Sequence, residues 1–292
     1  ALEVARLNIA VVNPHVPFAY GDLIPIDRFD ALVQDDTPLF IKDYVEPTPV
    51  DAMIGRNCSE LVPDGACLQM GIGSLPNAMA AQLGNHRDLG IHSEMFADGV
   101  LNLIEKGIVN GSRKGIDRGK VVASFLLGSQ RVYDYIDHNP AVLMRDIKYT
   151  NDPWVIAQNP NAVSINSATE IDLTGQVCAD SIGTRMFSGT GGQLDFVRGA
   201  KMSPGGKAII AMASRTAKLT PKIVPVLKPG AGVVTPRADV QWVVTEYGAV
   251  NLYGKSLQER ARLLTSIAHP DDREALERAA FDRFGPNYLQ GR

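Results

Sequence analysis

Long hydrophobic runs are missing from this chain. No apolar stretch reaches the roughly 20 residues of a membrane span and no signal peptide is visible, so no membrane partner is expected. Cysteine is scarce, with three in 292 residues at positions 58, 67 and 178. Their odd count and lack of metal spacing argue against a disulfide framework and suit packing residues in a reducing cytoplasm. An excess of either charge is absent too: 29 basic residues stand against 32 acidic ones, a net −3. With no basic stripe, no nucleic-acid partner is expected. Histidines 15, 86, 92, 138 and 269 are scattered singly, so no metal site is expected. There is no Gly-x-Ser-x-Gly elbow and no cysteine–histidine pairing. An initiator methionine is lacking as well. The opening Ala-Leu-Glu-Val-Ala-Arg-Leu-Asn-Ile-Ala-Val-Val-Asn is strand-like from the start and reads as the continuation of a longer polypeptide.

What is present is the composition of a soluble globular protein, 45% apolar and 21% charged, long enough for one large or two ordinary α/β domains. Residues 5–13 read as a strand, and Ile24–Val33 as a strand with a short helix beginning near Asp27. Three acids and two prolines between Asp43 and Asp51 read as an extended linker and a domain boundary. Strand–helix units follow: a helix from Val50 to Leu61, a strand at 66–70, a helix at 76–84 and a strand ending at Glu94. Next come a helix around Val100–Ile104 and a nearly continuous apolar strand over Lys120–Leu127. Later strands are expected at Lys207–Met212, Val233–Val234 and Trp242–Thr245. Two tail helices, 256–269 and 271–284, are expected to be capped by Ser256 and Asp271.

Three stretches carry chemistry. In Leu68-Gln-Met-Gly-Ile-Gly-Ser-Leu-Pro76 a strand turns sharply into a helix, with Ser74 as its expected cap. Such a turn is either a plain βα connection or a loop whose N–H groups meet an anion. In Leu89-Gly-Ile-His-Ser-Glu94 a strand delivers one carboxylate to the edge where open α/β sheets build their sites. Glu94 there is either a helix cap or a reacting group. His92 shares its face and either orients it or packs as a core histidine. The third is Phe187-Ser-Gly-Thr-Gly-Gly-Gln-Leu-Asp-Phe196, whose glycines suit a nest of N–H groups for an anion or oxyanion. Lys218 is an ordinary solvated lysine or a phosphate partner, while Asp172 and Asp195 read as structural caps.

On Gly-Ile-His-Ser-Glu-Met and Phe-Ser-Gly-x-Gly-Gly-Gln-x-Asp-Phe the chain resembles the 4-hydroxybutyrate CoA-transferase and acetyl-CoA hydrolase/transferase family, a branch of the class I CoA-transferases. Leu68–Leu75, Gly90–Gly99, Asp172–Gln176, Ser181–Ala200 and Thr245–Arg262 spread the likeness over essentially the whole chain. The resemblance implies an α/β fold with a mainly parallel sheet flanked by helices. It makes residues 1–46 the end of an N-terminal domain and 47–292 the C-terminal domain. It implies coenzyme A, brought as acyl-CoA, with no metal. It also implies short-chain carboxylates (acetate, butyrate or 4-hydroxybutyrate) as partners, a homo-oligomer and a cytoplasmic location. Glu94 corresponds to the glutamate that is acylated and then carries CoA as a thioester. Gly71, Ile72, Gly73, Ser74 and Leu75 correspond to a CoA-binding loop, with Thr169, Gly191, Gly192 and Lys218 as further contacts. Gly191 or Gly192 is the expected oxyanion donor. Acyl-CoA hydrolysis and a CoA-binding module without chemistry are the alternatives.

Overall fold

The computed structural model describes residues 2–288, so Ala1 and residues 289–292 of the expected domain ranges lie outside the described residues. A nine-stranded sheet runs through the molecule. From one edge its order is Gly248–Asn251, Trp242–Thr245, Lys207–Ala211, Ala162–Asn166, Cys67–Met70, Gly90–His92, Val121–Ala123, Val142–Met144 and Tyr20–Gly21. Only the first pair is antiparallel; every other neighbouring pair is parallel. The expected mainly parallel α/β fold is borne out.

Its strands are apolar on both sides because helices cover both faces. Ile209 and Ala211 join Leu68, Met70 and Ile91 in one core, beneath Ile54 and Cys58 of helix Pro49–Ser59 and Met79 of helix Ser74–Gln82. Ala208 and Ile210 point the other way, onto Phe196, Val197 and Ala200 of helix Gln193–Met202 and Ile156 of helix Pro153–Ala157. Alternation along each strand thus feeds two hydrophobic layers. All three cysteines are free and buried, as packing residues should be.

The expected first domain contributes the edge strand Tyr20–Gly21 and a separate two-stranded parallel sheet, Ile9–Val12 with Ala31–Gln34. Ile9, Val11, Leu32 and Val33 in that small sheet are all about half exposed or more. The linker crosses to the main body in extended form, where Asn77 Nδ2 donates to Val45 O at 2.9 Å. It ends at Thr48, which caps helix Pro49–Ser59 reciprocally with Asp51. Such a box contributes about 1 kcal/mol.

Several local expectations need correction. Gly73, not Ser74, occupies the cap position of helix Ser74–Gln82 and offers no side-chain bond. The last helix, Pro270–Phe284, is capped by His269, which accepts from Asp271 N. Lys120–Leu127 is not one strand. It breaks at Ser124, where the N–H groups of Ser124 and Phe125 both donate to Glu94 O, leaving Val121–Ala123 in the main sheet and Phe125–Leu126 in another. Val233–Val234 forms no strand: Val234 N donates to Val177 O, and the isolated bridge to Val177 falls on Thr235. At the two caps a neighbouring residue took the position, while in the two strands a partner distant in sequence took over what a local signal promised.

Candidate active site

Three neighbouring parallel strands end at one level. Met70 pairs with Ile165 and Leu68 with Ile91, so Gly71, Glu94 and Asn166 emerge side by side at the carboxyl edge. Glu94 lies two residues past strand Gly90–His92, as expected at this edge. Its backbone is held firmly: the carbonyl accepts from Ser124 N at 2.9 Å and Phe125 N at 3.1 Å, while Ser93 Oγ donates to Met70 O at 3.1 Å. A half-buried side chain on a clamped backbone suits a group that must meet substrate in one orientation.

Asn151 supplies a contact that no sequence signal pointed to. It sits at the joint between two one-turn helices, Ile147–Thr150 and Pro153–Ala157, and its Nδ2 donates to Glu94 Oε2 at 2.9 Å. The amide is oriented from behind, because the Thr150 hydroxyl donates to Asn151 Oδ1 at 3.0 Å and itself hydrogen-bonds Ser124 Oγ. Gly192 closes the other side. A methyl group there would overlap Glu94 Oε2 and Asn151 Nδ2, so the carboxylate lies directly against the glycine backbone. Gly192 is also the cap residue of helix Gln193–Met202, which puts Glu94 at that helix's positive end. Gly191 at φ 61 followed by Gly192 at φ −88 is the left-handed to right-handed sequence that turns successive N–H groups to one side. Asp195 stands in the first turn of this helix. Burial and then the nearby Glu94 charge raise its carboxyl above the usual range, with Arg198 opposing.

Beside this cluster lies a cavity of about 370 Å³. Gly71 to Pro76 form one wall and Ile165 to Ser167 with Gln193 the other. The structure therefore gathers Gly71, Ile72, Gly73, Ser74 and Leu75 around one space, next to the helix terminus that holds Gly191 and Gly192. Thr169 is engaged elsewhere: its hydroxyl donates to Cys178 O at 2.9 Å and Ser181 O at 3.0 Å. Lys218 is exposed on the turn closed by Thr216 N and Thr220 O, and neither residue lines this cavity. Among the described residues no group of three or more His, Cys, Asp or Glu could hold a metal, and no helix is long and apolar enough to cross a membrane.

Residues 128–280 match the profile of the acetyl-CoA hydrolase/transferase C-terminal domain. The chain belongs to the acetyl-CoA hydrolase/transferase family. Within that family it is 46% identical to the 4-hydroxybutyrate coenzyme A transferase of Clostridium kluyveri, over 97% of this chain and 67% of the relative. It is 48% identical to the succinyl-CoA:acetate/propanoyl-CoA:succinate CoA transferase of Fasciola hepatica, over 97% and 60% respectively. Among solved structures, RipA from Yersinia pestis superposes with a TM-score of 0.90 at 43% identity, covering 97% of this chain and 64% of that one. The chain thus spans about 60–67% of the length of the curated relatives it matches here.

Proposed function

We propose that this chain carries the catalytic half of a CoA-transferase that moves CoA between a short-chain acyl-CoA and a free carboxylate through a glutamyl-CoA thioester on Glu94. In this reading residues 1–46 close the N-terminal domain and 47–292 form the C-terminal one. The observation that carries it is the setting of Glu94, held by Asn151, seated on Gly192 at a helix N-terminus and opening beside the cavity at Gly71–Pro76. The chemistry balances without an added cofactor. The Glu94 carboxylate attacks the acyl-CoA carbonyl and expels CoA thiolate, leaving a mixed anhydride. The thiolate adds to the glutamyl carbonyl and releases the first carboxylate, leaving Glu94 as its CoA thioester. A second carboxylate attacks that thioester and expels CoA thiolate, leaving a new mixed anhydride; the thiolate then attacks its acyl carbonyl, forming the product acyl-CoA and freeing the Glu94 carboxylate. A carboxylate nucleophile needs no base for this. Each tetrahedral intermediate places charge on oxygen, where a well-aimed donor is worth roughly 3–4 kcal/mol. The Gly192 N–H and the Asn151 amide are the donors in this reading. The Gly71–Leu75 loop holds CoA in this reading, with Thr169 and Lys218 as further contacts outside the cavity.

Hydrolysis uses the same intermediates but admits water to the glutamyl thioester. Incubating the full-length protein with acetyl-CoA and a second carboxylate separates the readings. Transfer gives exchange, hydrolysis gives free thiol without exchange, and a binding module gives neither. Mass spectrometry should find CoA attached to the peptide containing Glu94. Borohydride should inactivate only protein pretreated with acyl-CoA. Glu94→Gln should lose exchange by several orders of magnitude while still binding CoA. An adduct on another residue, or full activity in Glu94→Gln, sinks the mechanism.

A further inference from the structure

Beneath the Glu94 edge runs a polar row in an otherwise apolar layer. Ser164 pairs with Gln69 across two strands, and the register that joins Leu68 to Ile91 sets Gln69 opposite His92. All three are buried, on the sheet face covered by Ile156, Phe196 and Ala200. Gln69 is satisfied within the row, its Oε1 accepting from Ile165 N at 3.2 Å and Asn166 Nδ2 at 3.0 Å. Three other atoms there have no protein partner: His92 Nδ1, Ser164 Oγ and Asn159 Nδ2. Their residues are 3%, 1% and 0% exposed, and all of them line one cavity of about 10 Å³. A buried polar atom left unpaired is costly, and a space of this size holds about one water when two to four polar groups converge on it.

The three atoms are chemically complementary to a water. His92 Nε2 lies 2.9 Å from Thr150 O, and a carbonyl only accepts, so Nε2 carries the proton and Nδ1 is a bare acceptor. Asn159 Nδ2 only donates; its Oδ1 already accepts from Gly115 N at 3.2 Å. A serine hydroxyl does either. One water donating to His92 Nδ1, accepting from Asn159 and sharing a bond with Ser164 satisfies the set. Burial is the main reason the imidazole titrates low, at about 4, with Lys114 and Arg145 also opposing its charge while the Thr150 bond and Asp117 favour it.

We propose that His92 is a positioning residue for the Glu94 site, kept in its Nε2–H form by one water bound between His92 Nδ1, Ser164 Oγ and Asn159 Nδ2. His92 then anchors the Thr150 carbonyl, and Thr150 and Asn151 carry that constraint to the amide that meets Glu94. The inference rests on the reading of Glu94 as the nucleophile. A core histidine serving packing alone would leave formation of the Glu94–CoA adduct unchanged, so the adduct rate in His92→Leu and its rescue in His92→Gln are the decisive readouts.

Nitrogen-15 spectra of the histidine-labelled full-length protein should show His92 protonated at Nε2, bare at Nδ1 and untitrated down to about pH 5. A proton on Nδ1, or titration near the ordinary value of about 6.5, overturns the proposal. A high-resolution crystal structure should hold one ordered water bonded to His92 Nδ1; a dry or apolar-filled cavity counts against it. His92→Leu should slow formation of the Glu94–CoA adduct about 10- to 100-fold with little change in the KM for acetyl-CoA. His92→Gln, which keeps a donor toward Thr150, should recover most of that rate. An undiminished adduct rate in folded His92→Leu defeats the idea, and if that variant fails to fold the wild-type crystal structure decides by whether it holds the water on His92 Nδ1. Failure of the wild type to form any Glu94 adduct strikes the proposed function instead, since the imidazole spectrum judges His92 independently.

Discussion

The turns at Gly71–Gly73 and Gly189–Gly192 share a Gly-x-Gly signature, and each leads into a helix, on opposite faces of the sheet. At Gly73 the backbone stands at φ 110 and ψ −174, a region that essentially only glycine enters, yet nothing lies within 4 Å of where a Cβ would sit. At Gly192 the backbone, φ −88 and ψ 6, is open to any residue, but the Cβ space is taken by Glu94 and Asn151. One glycine bends the chain and the other makes room for a reacting group. The same letter in a motif answers two different physical demands, and only neighbours distant in sequence tell them apart.

That contrast can be broken by experiment. The largest effect is expected at Gly192→Ala. The new methyl displaces the Glu94 carboxylate, a flexible side-chain end, so exchange should fall by roughly 100-fold or more, about 3 kcal/mol, while the melting temperature stays near wild type. Loss of fold with no specific kinetic defect would reverse the assignment of this turn. Next comes acid stability, which separates the layer beneath Gly192, where His92 is buried, from the apolar core beneath Gly73. His92 has its pKa lowered to about 4 by burial, so between the ordinary value and that one the unfolded chain binds the extra proton. Stability from this group is complete above about pH 6.5 and is lost as pH falls through about 4, by roughly 3 kcal/mol in all. Denaturant melts at pH 7 and pH 4.5 should show that slope in the wild type and a flatter one in His92→Gln.

Smaller effects are expected at the first turn. Gly73→Ala should cost about 1–3 kcal/mol of stability through backbone strain alone, measurable by urea denaturation. Wild-type stability in that variant would mean the turn relaxes freely and the contrast with Gly192 is false. Gly71→Ala, with open space and no left-handed backbone, should change stability by less than about 0.5 kcal/mol. If the Gly71–Leu75 loop holds CoA, its mark should be a raised KM for acyl-CoA with kcat little altered; an unchanged KM would remove that residue from the binding loop.

Much of this was legible in the residues. Short apolar strands alternating with helical patterns specify a parallel sheet, because a strand covered on both faces needs apolar residues on both, and that pattern is local. A carboxylate at such a strand's end, at Glu94, is legible for the same reason. Ser256 was recognisable as a cap because its partner, Glu259, lies three residues on. Ser74 misled because Gly73 claimed the cap position. Lys120–Leu127 misled because Glu94 O, from the segment just past another strand, broke it at Ser124.

The remainder belongs to the tertiary structure. Asn151 reaches Glu94 across 57 positions and His92 reaches Thr150 across 58, distances at which one chain carries no periodic signal. Residue order determined which elements form, since hydrogen bonding and side-chain period act over a few positions. Which carbonyl faces the buried imidazole, which amide meets the carboxylate and which glycine leaves it room were decided when those elements packed, because each depends on atoms brought together only by closing the core.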